Sequence, residues 1–154
     1  MLKRSLAAIA AVFALGLATA NVQAQQLKSP DEVKKALQIV THVTNDFERQ
    51  ITRKTFARIP HENQEFGEAA EALEKSIAGE PEAFKQKVGV ALKDAKAAGQ
   101  AIADKSASND EAALRAGHDE MAKKVAVLMA LFPEPMRPDP KFMMTRPAAA
   151  PAAK

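Results

Sequence analysis

The chain has 154 residues, no cysteine and a formal net charge of +3, with 47% hydrophobic and 27% charged residues. That balance suits one domain with a packed core, and it excludes disulfides, thiolate chemistry and cysteine-ligated zinc or iron–sulfur sites. Without Lys3 and Arg4 the charge falls to +1, which argues against a nucleic-acid partner, because phosphate binding needs a dense basic face.

Met1–Arg4 is a short basic stretch and Ser5–Ala20 an apolar run rich in Ala and Leu. Val22-Gln23-Ala24 then places small residues where a signal peptidase cuts, before Gln25. The layout is that of a secretory signal peptide over residues 1–24. The apolar run is shorter than the ~20 residues that span a bilayer. No cysteine is present for a lipid anchor. The expectation is export to a bacterial periplasm, with no membrane span after cleavage.

Four helices are expected in residues 25–132. Ser29-Pro30-Asp31-Glu32 reads as a helix start, with Ser29 and Glu32 as a capping box and Pro30 in the first turn. Val33, Leu37, Val40, Thr44, Phe47 and Ile51 then recur three or four residues apart, and Pro60 bounds this first helix. A second helix is expected over residues 62–78, with Phe66, Ala69, Ala70, Leu73 and Ile77 on one face and Gly79 as its stop. Pro81 opens a third, which turns Phe84, Val88, Ala91, Ala95, Ala98 and Ile102 inward. Ser108-Asn109-Asp110-Glu111 caps a fourth, which buries Leu114, His118, Met121, Val125, Leu128 and Phe132 before Pro133. No period-two strand pattern competes. Links near 59–61, 79–80 and 106–108 are too short for a crossover. The predicted fold is therefore all-α, an antiparallel up-down-up-down four-helix bundle.

Six of the nine prolines fall at or after Pro133, so residues 133–154 are expected to form a flexible Pro/Ala-rich tail. Its Met136, Met143 and Met144 are soft donors suited to Cu(I). They lack a repeated spacing and no histidine is near them, so a plain solvated tail is the expectation.

Catalysis has little to stand on. The residues three before His42, His61 and His118 are Ile39, Arg58 and Arg115, so no Glu-x-x-His di-iron pair exists. Position 65 is Glu, which rules out His-Glu-x-x-His at His61. Gly-rich phosphate loops and serine elbows are absent as well. No enzyme is expected.

His42 falls on the polar side of the first helix, among Lys35, Gln38, Asn45 and Arg49, and His61 follows Pro60 at a helix start. Both read as solvated. His118 lies within about 40° of Leu114 and Val125 at 100° per residue and so points inward. Such a ring needs a partner: a backbone carbonyl, a polar residue such as Thr44, or a metal. At its level the bundle offers Ala95, Ala98 and Gly99 on the third helix, Val40, Thr44 and Phe47 on the first, and Ala70 on the second. Small residues either let helices approach closely or leave room for a flat ligand.

The stretch Leu114-Arg115-Ala116-Gly117-His118-Asp119-Glu120-Met121-Ala122-Lys123-Lys124 is similar to the haem-attachment helix of the cytochrome c-prime family, where the pattern is Cys-x-x-Cys-His-Asp followed by Phe-Arg and a basic residue. The resemblance implies an exported four-helix bundle with His118 as axial iron ligand. Leu114 and Gly117 stand where the two cysteines would be, and Met121-Ala122 where Phe-Arg would be. Covalent haem c is excluded. A non-covalent haem b would use His118, with Val40, Phe47, Ala95, Ala98, Gly99, Leu114 and Met121 lining its pocket, for electron transfer, gas sensing or haem storage. The other expectation is a haem-free bundle that acts through a periplasmic protein partner or as a stress module. A homodimer is open, although no exposed apolar stripe marks its contact.

Overall fold

The computed structural model describes residues 27–138. The signal-peptide reading of 1–24 and the tail beyond 138, with Met143 and Met144, lie outside the described residues. Four helices follow one another: α1 (Pro30–Thr52), α2 (Ile59–Ser76), α3 (Glu82–Lys105) and α4 (Glu111–Ala130). Single 3-10 turns occur at Phe56–Arg58, Ser106–Ser108 and Glu134–Met136. The described residues are helical with no strand. The helices pack α1 on α2, α2 on α3, α3 on α4 and α4 on α1.

Local chemistry explains the ends. Pro30 sits in the first turn of α1, with Asp31 and Glu32 beside the partial positive charge of that end and Arg49 near the other. The expected Ser29 cap is absent: its side chain accepts no hydrogen bond from the helix. Helix α1 stops at Thr52, short of Pro60, because Lys54 enters the left-handed region at φ 57° and Thr55 N donates back to the Gln50 carbonyl at 2.9 Å. The first link is therefore 53–58 and not 59–61. Pro60 belongs to the first turn of α2, where its missing N–H costs nothing. Gly79 is no left-handed stop either, since no described glycine has positive φ. The N-terminus of α4 is capped by Asp110 and not by a Ser108/Glu111 box: Asp110 accepts from Ala113 N at 3.1 Å, after Asn109 at φ 55°, while Ser108 Oγ donates to the Lys105 carbonyl.

The predicted core positions are inside. Val33, Leu37, Val40, Phe47, Ile51, Phe66, Leu73, Val88, Ala95, Ile102, Leu114, Met121 and Leu128 are fully buried. Phe84 meets Phe132 edge to face with centroids 5.5 Å apart.

Two glycines set how near the helices come. A Cβ on Gly117 would lie 3.0 Å from Ile102 Cγ1. One on Gly99 would lie 2.9 Å from Asn63 Oδ1 and 3.5 Å from Met121 Cε. The small residues of α3 thus serve close packing, and the Met121 side chain occupies the space beside Gly99.

Residues 133–138 depart from the flexible-tail expectation. Glu134–Met136 form a 3-10 turn, Met136 packs on the core, and Arg137 donates to the Phe132 carbonyl at 2.9 Å. The prolines interrupt α4, and the freed carbonyls are met by a guanidinium.

Truncating Met121 to Ala removes a fully buried side chain. Its expected cost is about 2–5 kcal/mol in urea denaturation without any added ligand. A loss well under about 1 kcal/mol would mean that Met121 borders a void and not a packed interior.

Candidate functional site

Polar chemistry concentrates on two seams of α1. On the seam with α4, charges form an unbroken chain. Lys54 Nζ reaches Glu111 at 3.3 Å, and Glu111 accepts from Arg115 Nη2 at 2.8 Å and from Nε at 3.0 Å. Arg115 Nη1 donates to Glu48 Oε1 at 3.0 Å. Glu48 Oε2 stands 3.3 Å from His118 Nδ1. His118 Nε2 faces the Thr44 carbonyl at 3.1 Å. Hydrogen bonds from Arg115 and then Lys54 hold the Glu111 carboxyl below its usual range.

His118 is thus inward, as its spacing predicts, with its side chain 13% exposed. Both ring nitrogens are turned to oxygens. Of the residues expected to line a pocket beside it, Val40, Phe47, Ala95, Leu114, Met121 and Gly99 are buried and Ala98 is half-buried. The Thr44 partner named from sequence engages through its backbone oxygen. Its hydroxyl instead donates to the Val40 carbonyl at 2.7 Å.

The second seam, between α1 and α2, opens into a groove of about 720 Å³. His42, Asp46, Arg49, Arg53, Arg58, His61, Glu62 and Glu65 contribute its charges, and Ile39, Val43 and Ala69 part of its apolar wall. Sequence reasoning missed this site. It read His42 and His61 as solvated, which is correct for each alone, with side chains 68% and 58% exposed. The signal available was the i,i+4 pairing of His42 with Asp46 and of His61 with Glu65 on two consecutive helices.

Glu62 is the unusual member. It is 4% exposed and accepts from Gln50 Nε2 at 2.7 Å, and Gln50 in turn accepts from Thr55 Oγ1 at 2.5 Å. Burial raises the Glu62 carboxyl above the ordinary value of 4.5. The Gln50 hydrogen bond opposes that rise, while Asp46 and Glu65 add to it.

No protein-family model, curated protein or solved structure matches this chain. Among the described residues no helix is long and apolar enough to cross a membrane.

A raised carboxyl makes the folded state bind more protons than the unfolded one, from about pH 4.5 up to the raised folded value. Glu62 therefore costs nothing below that window, and its penalty grows as pH rises through it and is complete above. Glu62→Gln is expected to stabilise the protein at about pH 7 relative to about pH 4, read by urea denaturation in chelating buffer. An equal effect at both pH values would remove the buried charge as its cause.

Proposed function

We propose that this chain is an exported four-helix bundle on a cytochrome c-prime-like scaffold that carries no haem. It acts by binding and not by catalysis, with the α1/α2 groove as its recognition face. The helices run up-down-up-down and antiparallel. Contacts that join the end of one helix to the start of another support that course: Gln50 with Glu62, Asn63 with Gln100, and Phe84 with Phe132. The basic start, the Ser5–Ala20 run and Val22-Gln23-Ala24 support export to the periplasm, where the partner is a protein or a second copy.

The observation that carries the haem-free reading is the state of His118. An axial ligand must aim a nitrogen lone pair at iron. Here Nε2 faces the Thr44 carbonyl and Nδ1 faces Glu48. Opening a haem slot would break both contacts and separate the buried Met121 from Gly99. The groove offers concave, charged surface without such rearrangement.

A hemin titration followed by absorbance tests this. The chain has no Trp and no Tyr, so concentration is set from peptide absorbance. Weak, nonsaturating uptake that is the same in His118→Ala is expected. A sharp Soret band that saturates at one equivalent and vanishes in His118→Ala would overturn the reading and make this a haem b protein.

A further inference from the structure

The α1/α2 groove changes character along its length. Ile39, Val43, Ala69 and Ala72 line one end, Glu65 and Glu68 follow, and Arg49, Arg53 and Arg58 line the other. The antiparallel course proposed above gives that order, because residue numbers rise along α1 where they fall along α2. Ile39 is 39% exposed at the apolar end. Val90 and Val127, the other exposed large apolar side chains among the described residues, do not line the groove. The groove thus presents an exposed apolar floor beside two accessible carboxylates.

The chain after α4 is led to that end. Phe132 meets Phe84 in the first turn of α3, where α2 has just finished. Glu134–Met136 then turn against α1, and Met136 packs on the core. Arg137 fixes this turn by donating to the Phe132 carbonyl at 2.9 Å and to the Ala130 carbonyl at 3.3 Å. Pro138 is half-buried. Ala72 stands one helical turn before α2 ends at Ser76. The sequence continues between Pro140 and Pro147 as Lys141-Phe142-Met143-Met144-Thr145-Arg146, two cations around three apolar side chains. These six lie outside the described residues.

We propose that residues 141–146 dock in the α1/α2 groove of their own chain, with Phe142-Met143-Met144 over Ile39, Val43 and Ala72 and Arg146 at Glu65 and Glu68. Order and spacing agree. From Pro138 to Phe142 an extended chain spans about 13 Å, enough to reach the apolar end of the groove. From Phe142 to Arg146 it spans about 13 Å again, against about 10 Å along α2 from Ala72 to Glu65. Thioether side chains adapt to an irregular apolar floor. The Arg146 guanidinium meets carboxylates that are at least partly exposed. Tethering makes such a contact effective, because a short linker holds the segment at about millimolar local concentration. The docked segment covers the recognition face, so a partner must displace it; in that respect the inference rests on the groove reading above.

The chain has no cysteine, so an introduced pair reports its own encounter alone. Two variants of the full chain are compared: Ile39→Cys with Met143→Cys, and Val127→Cys with Met143→Cys. Both Ile39 and Val127 are exposed, so neither exchange empties the core. Val127 lies near the end of α4 and closer to Met143 along the chain, so chance encounter favours it. Each protein is equilibrated in a glutathione redox buffer with no partner added, and the intrachain disulfide is measured by mass spectrometry. The Ile39 pair is expected to show at least tenfold the effective concentration of the Val127 pair. Arg146→Glu should abolish that preference, and Glu65→Lys added to it should restore the preference. Equal formation of both pairs, a preference for Val127, disulfides between chains in place of those within one, indifference to Arg146→Glu, or no recovery with Glu65→Lys would each overturn the docking. The crosslinks read docking without a partner and the hemin titration reads the haem-free proposal, so each can fail alone.

Discussion

Close approach of α3 to its neighbours depends on two positions that carry no side chain. Gly117 of α4 lies against Ile102, and Gly99 of α3 against Asn63 and Met121. At either place a Cβ would press on an atom already in contact. At the seam with α1, His118 enters the bundle edge and finds protein oxygens as its partners.

The two polar seams of α1 are solved differently. Toward α4 the charges alternate in sign from Lys54 to Glu48, and every carboxylate oxygen named there lies within 3.3 Å of a side-chain nitrogen. A connected network of this kind orders a helix interface. Toward α2 three carboxylates converge, two of them on buried residues, and Asp46 is held by ion pairs with Arg49 and His42. Arg49, Arg53 and Arg58 line the same groove and moderate the field. Bundles usually avoid such convergence because burying charge costs more than an apolar contact returns.

The sequence carried the helices and their inward faces in full view. A 3.6-residue period in Val33, Leu37, Val40, Phe47 and Ile51, or in Leu114, Met121, Val125 and Leu128, is a local property, and each of these residues is buried. It also placed His118 inward and named Thr44 among its partners. Boundaries were less legible. Lys54 adopts a left-handed conformation that no glycine announced, and Pro60 serves inside the first turn of α2. Residues 133–138 fold back through Arg137, a contact between positions whose separation no periodicity encodes.

What the sequence determined by itself is whatever one helix can express alone: its period, its apolar stripe, and the exclusion of cysteine chemistry by composition. Tertiary structure alone decided which stripes close without a gap and which polar faces meet. His42 and Asp46 belong to one helix and His61, Glu62 and Glu65 to the next. Their convergence within 4.8 Å at the carboxylates exists only once α1 and α2 are packed, because spacing along a chain carries no information about the rotation of one helix against another. The state of His118 follows the same logic. Its direction is set by α4, but its partners are set by α1, and a ring facing two oxygens has a different chemistry from a ring facing an open pocket.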